Sequence, residues 1–119
     1  KKICFLGVTF KANTDDMRDS SCLSMIPSLV KKGAKINYFD PTGEKVDFMK
    51  LKNIKFSNDI KSAIKNSDLI IIHTEWNDFK TIDFTKEVKN KKFKIFDMRN
   101  IYSPTKMKKL NIKYYGVGC

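Results

Sequence analysis

Ile3-Cys4-Phe5-Leu6-Gly7-Val8 is an unbroken apolar run, bounded by lysines before it and by a polar stretch, Lys11 to Ser21, after it. A half-buried strand alternates apolar and polar residues. A run without alternation reads as a strand covered on both faces, which is the condition of parallel sheets flanked by helices. The segments that follow bear this out. Leu23, Ile26, Leu29 and Val30 recur at helical spacing and stop at Gly33, giving an amphipathic helix with a serine-rich start and a glycine end; Pro27 lies inside it and is a potential kink.

Lys35 to Asp40 then reads as a second strand, closed by the turn Pro41-Thr42-Gly43. Ile54 to Phe56 is a short strand. Asn58-Asp59 caps a short helix carrying Ile60, Ala63 and Ile64, and Asp68 to Ile72 is the next strand. Phe79 to Val88 is weakly helical, because Thr81, Ile82 and Thr85 are β-branched. Phe93 to Asp97 is a strand, Pro104 opens a helix through Leu110, and Ile112 to Val117 is the last strand. Strands alternating with helices at this pitch predict an α/β fold: a doubly wound, mainly parallel sheet with helices on both faces, as one domain over residues 1–119. Ligands of such sheets bind beyond the carboxyl ends of the strands. That places the Thr9–Ser21 loop and the loop after Asp97 at the expected site.

Composition sets the outer limits. With 119 residues and 41% hydrophobic content, one core forms without disulfide or metal staples. The longest apolar stretch, Leu69 to Ile72, is far short of the ~20 residues that cross a bilayer, so no membrane partner is expected. Cys4, Cys22 and Cys119 have no C-x-x-C spacing and no paired histidine ligand, which argues against a disulfide framework or a metal site and suits a reducing cytoplasm. The chain starts without Met and enters its first strand almost at once, as expected of a domain from a longer protein.

The formal charge of +11 raises nucleic acid as a partner. The lysines, however, are spread over every turn and helix with no interleaved aromatics, so solvated surface is the favoured reading and a basic nucleic-acid-binding module the alternative. Of the 24 basic residues, only Arg18 and Arg99 are arginine, and each follows Asp-Met. An arginine fork grips phosphate or carboxylate with two parallel hydrogen bonds, and it equally makes a structural pair with aspartate; the sequence leaves both open.

The first loop has Gly7 as its only glycine and lacks G-x-G-x-x-G, so this Rossmann-like domain is not expected to cradle a dinucleotide unaided. Asp40 sits where such folds place a ribose-binding acid, yet capping the Pro41 turn is the better reading. Lys11, next to Phe10 at the mouth of the first strand, could meet a phosphate, although spacing alone favours an ordinary surface lysine. His73 has no Ser or Cys nucleophile nearby and reads as structural. No cysteine looks like an activated thiolate, and Trp76 reads as packing.

Gly7-Val8-Thr9-Phe10-Lys11-Ala12-Asn13-Thr14-Asp15-Asp16-Met17-Arg18-Asp19-Ser20 resembles the signature G-[LV]-x-F-K-x-[ND]-T-[DG]-D-x-R-[DE]-[SA] that opens the carboxy-terminal, UDP-binding domain of the UDP-glucose 6-dehydrogenase family. Gly33-Ala34 with Tyr38 to Pro41, Thr74-Glu75-Trp76, Asp97 to Tyr102, and Tyr114 to Gly118 agree with it in order, so the likeness covers nearly the whole chain. Met98 and Ser103 depart from the family's usual glycine and aspartate. The resemblance implies an enzyme that oxidises the C6 alcohol of UDP-glucose to a carboxylate in two NAD-dependent hydride transfers, through a thioester on a cysteine of another domain. It implies further that Phe10, Lys11 and Arg99 contact the UDP-sugar, with Lys11 on the pyrophosphate. Arg18 would reach NAD held mainly by the missing amino-terminal domain, and no residue of this chain would be catalytic. It also implies contact with the amino-terminal and central domains and a homodimer. Relatives acting on GDP-mannose or a UDP-N-acetylhexosamine are the alternative within the class.

Overall fold

The computed structural model describes residues 1–117; Gly118, part of the final resemblance motif, and Cys119 lie outside them. Six strands, β1 (Lys2–Leu6), β2 (Lys35–Phe39), β3 (Ile54–Phe56), β4 (Leu69–Ile72), β5 (Lys94–Asp97) and β6 (Lys113–Gly116), form one sheet in the order β3-β2-β1-β4-β5-β6. Every pairing is parallel, so the sheet is wholly rather than mainly parallel. The chain winds outward from β1 to β3, returns, and winds outward again from β4 to β6. The point of reversal is therefore between β1 and β4, where Ile3 pairs with Leu69 and Leu6 with Ile72.

The helices are α1 (Cys22–Lys31), α2 (Val46–Met49), α3 (Ile60–Ile64), α4 (Phe84–Glu87) and α5 (Pro104–Lys109). Strand residues of opposite parity feed two separate cores. Ile3, Phe5, Ile36, Tyr38 and Ile71 pack with Cys22 and Ile26 of α1 and Phe48 of α2. Cys4, Leu6, Ile70, Ile72 and Ile95 pack on the opposite face with Ala63 and Ile64 of α3, Phe84 of α4 and Met107 of α5. This double burial is what the unbroken run Ile3 to Leu6 signalled. The layers are unequal, since the first face carries two helices and the second three. On the two-helix face, β5 and β6 leave Phe96 and Tyr115 exposed.

Local chemistry sets the ends of the elements. Gly33 has φ of +97°, its N–H bonds Val30 O at 2.9 Å, and Ala34 N–H bonds Leu29 O at 3.1 Å; this double closure fits a glycine just past the helix. Helix α1 runs through Pro27 to Lys31. The strand read over Ile3–Val8 ends at Leu6, because Gly7 has φ of +80° and turns the chain out of the sheet. The weak helix expected over Phe79–Val88 is a 3-10 turn at Asn77–Phe79 and, after a break, α4 from Phe84. Asp83 restarts the helix there by accepting from Lys86 N–H. Helix α2 had no periodic signal in its four residues.

Candidate functional site

The loops at the carboxyl ends of β1, β4 and β5 meet beside the reversal point, and each is shaped by its own sequence. After β1, a Cβ on Gly7 would stand 1.7 Å from Thr74 Oγ1, so only glycine lets the β4 loop cross so closely. Buried Asp40, at the end of β2, accepts from Val8 N–H and Thr42 N–H at 2.9 Å each. Its carboxylate is thus committed to holding the turn and the neighbouring loop. The position a ribose-binding acid would occupy is filled by a structural tie.

Beyond Val8 the loop folds on itself. Phe10 N–H bonds Asp16 O at 2.8 Å and Thr9 Oγ1 donates to Lys11 O at 2.9 Å, while Ser20 Oγ donates to Val8 O at 2.6 Å and fastens the loop's far end. Phe10 and Lys11 stand at the tip of this closed turn, and Phe10 is 44% exposed. An apolar ring held outside the core beside a cation is an arrangement that can stack on a flat ring and meet an anion.

Arg18 makes the structural pair that the sequence left open. Its Nε and Nη2 donate to the two Asp16 oxygens at 3.1 and 3.0 Å, and its N–H adds a third bond to Asp16 at 2.8 Å. The guanidinium hydrogen bond holds the Asp16 carboxyl below its usual range, and Asp16 raises Arg18 in turn. The pair is solvent-facing, with the Arg18 side chain 88% exposed, so a stronger anion could take the fork at small cost.

Arg99 is placed by two ties: its N–H bonds Asp97 Oδ1 at 3.0 Å and its Nε donates to His73 O at 2.9 Å. The fork's other nitrogens stay at the exposed rim. Asp97, fully buried, also accepts from Ile101 N–H at 2.8 Å and the Tyr114 hydroxyl at 2.7 Å. His73 joins the loops, since Nε2 contacts Ser21 Oγ at 2.8 Å while its carbonyl takes Arg99. Burial and the adjacent Arg99 charge lower the His73 pKa to about 4, so the ring is neutral at physiological pH. Its structural reading stands. Met98 occupies its place by packing half-buried on the α1 core, and Ser103 acts as the N-cap of α5 before Pro104.

Phe10 and Lys11, then, come from one loop and Arg99 from another, on the same edge of the sheet around the β1–β4 reversal, while Arg18 is turned onto Asp16. The sequence reading quoted Thr74 and Asp97 within motifs but missed the crossing of Thr74 over Gly7 and the bracing role of Asp97; an aspartate closing an apolar strand just before a loop was the available signal. Burial pushes the Cys22 thiol up to about 12 and raises Cys4 as well, which excludes both as nucleophiles. No cluster of metal-ligating side chains occurs among the described residues. The first loop does not fit a dinucleotide cradle: its glycine is consumed by the Thr74 crossing and the nearby acid by Val8 and Thr42.

Known proteins resemble this chain in sequence and in fold. The chain is 35% identical over 98% of its length to the UDP-glucose 6-dehydrogenase of Rhizobium meliloti (strain 1021), and 38% identical over 99% of its length to that of Rickettsia prowazekii (strain Madrid E). It spans 27% and 28% of those proteins. Among solved structures, the NDP-N-acetyl-D-galactosaminuronic acid dehydrogenase of Methanosarcina mazei Go1 superposes with a TM-score of 0.81 at 23% identity, covering 98% of this chain and 24% of that one, a likeness of fold. Residues 4–104, which run from within β1 through β5 and hold both arginine loops, match the model of the UDP-glucose/GDP-mannose dehydrogenase family, UDP binding domain, and the chain belongs to that family.

Proposed function

We propose that this chain forms the nucleotide-sugar side of the active-site cleft in an NAD-dependent UDP-glucose 6-dehydrogenase of the cytoplasm, binding substrate while the rest of the enzyme carries the catalytic cysteine and NAD. The observation that carries this reading is the Phe10–Lys11 tip, held out of the core by the Phe10–Asp16 bond and facing the same edge as Arg99. Lys11 meets the diphosphate as a point charge, and Phe10 closes over the nucleotide or sugar. Arg99, already anchored through Nε, offers its remaining nitrogens to the sugar-phosphate, in its own cleft or across a homodimer. Arg18 exchanges Asp16 for the edge of the NAD held elsewhere; NAD, when bound, accepts the hydride from C6.

In the full-length protein, Lys11→Ala is expected to remove about 1.5–3 kcal/mol of charge-assisted contact, weakening UDP-glucose binding by about 10- to 150-fold in a calorimetric titration. Unchanged affinity rejects the role of Lys11. A substrate panel with GDP-mannose and UDP-N-acetylhexosamines then fixes the sugar.

A further inference from the structure

At the opposite, amino-terminal end of the strands, a groove of about 440 Å³ opens between α3 and the β1–β2–β3 edge, and its lining includes Lys2, Lys35, Lys55, Asn37, Asn53 and Asn66 and no acidic residue. Its cations are placed by the sheet. Lys2 and Lys35 are register partners on adjacent parallel strands, and Lys55 partners Asn37, two residues beyond Lys35 on the same face. Register partners lie about 5 Å apart and their diagonal neighbours about 7–8 Å, so the three lysines rise from one face of adjacent strands.

Like charges directly opposite on neighbouring strands oppose pairing. Among the described residues none of the three makes an ion pair, although the Asp68 charge acts on Lys2. Asp68 itself accepts from Lys2 N–H at 2.9 Å and Asn90 Nδ2 at 2.8 Å. Asn37 also lines the groove, its Oδ1 accepting from Ser57 Oγ at 2.8 Å. Three lysines in a lining that holds no acidic residue, in a concave space the size of a small ligand, are the makings of an anion site.

We infer that this groove is a second ligand site, distinct from the nucleotide rim, that takes a small molecule carrying a diphosphate or triphosphate group. The phosphate chain lies across β1 and β2, bridging Lys2 and Lys35, with Lys55 and Asn37 at its end. Binding there ties the first three strands together at the end of the sheet remote from Lys11, so it stabilises the domain without entering the cleft.

Inorganic tripolyphosphate is the probe, titrated calorimetrically into the full-length protein that carries this chain, with ATP in a parallel titration to separate a bare phosphate chain from a nucleotide. One equivalent is expected to bind with a Kd below about 100 µM. Lys35→Glu with Lys55→Glu lowers that affinity at least about tenfold, whereas Lys106→Glu with Lys109→Glu on α5, an equal change of charge, and Lys11→Ala leave it unaltered. Lys35→Glu alone, by removing the Lys2 repulsion, raises the Tm of the unliganded protein by roughly 1–5 °C while abolishing the Tm rise that tripolyphosphate gives the wild type. Absence of binding, an equal loss in the α5 variant, or affinity that follows Lys11 instead overturns the proposal. The last result would return the anion to the nucleotide rim and leave the function proposed above intact.

Discussion

Gly7 illustrates how much of this molecule rests on single positions. An alanine there would need φ of +80° and would drive its methyl into Thr74. Gly7→Ala is expected to cost at least about 2 kcal/mol in urea denaturation, combining a left-handed non-glycine residue with a close overlap. His73 makes a prediction in pH. Its folded pKa near 4 lies below the ordinary 6.5, so on acidification the unfolded chain takes up the proton first. The associated stability is fully present above pH 6.5 and is lost progressively between pH 6.5 and 4, by about 3 kcal/mol in all. The dependence of Tm on pH across that window should flatten in His73→Gln; an unchanged slope would assign the effect to other groups.

At the scale of elements, Asp97 couples the end of β5 to β6 and to the Arg99 loop through one carboxylate. Asp97→Asn places an amide among donors and is expected to lose about 1–3 kcal/mol of stability in a chemical unfolding measurement. If Arg99 works in substrate binding as proposed, affinity for UDP-glucose falls as well, because the loop's brace is gone.

Elements were legible in the sequence where periodicity was long or punctuation strong. The unbroken Ile3–Val8 run, whose strand ends at Leu6, the Leu23–Val30 spacing with Gly33, and Pro104 opening α5 each match a strand or helix in the structure. Four-residue α2 and the split between the 3-10 turn and α4 were not legible, since one turn of helix shows no period and depends on tertiary packing of Phe48 and Phe84. Within the site, residue types singled out the two arginines with both readings open, and only the family resemblance gave Phe10 and Lys11 a substrate role. The Arg18–Asp16 fork is one of the two readings the sequence left open, whereas the Asp40–Val8 tie and the His73 junction were hidden because each depends on through-space geometry.

For the whole molecule, the unequal covering of the sheet has a measurable outcome. Ile95 is fully buried under the three-helix layer, while its neighbour Phe96 is 37% exposed on the other side. Ile95→Ala should therefore cost about 2–5 kcal/mol, and Phe96→Ser well under half of that, despite the larger side chain removed. Comparable losses at both sites, read from the same urea curves, would show that the β5–β6 face is closed over. The strand order bears on how the chain reaches this state. Because β1 lies at the centre, it acquires β2 after some thirty residues but waits for β4, whose Leu69 pairs with Ile3, before its second side is sealed. During synthesis the central strand thus remains an open edge until more than half of the domain has left the ribosome. No hairpin among the described strands offers an early foothold, so refolding belongs in the slow, millisecond-to-second regime, and a nascent chain stalled before residue 72 would be a target for chaperones.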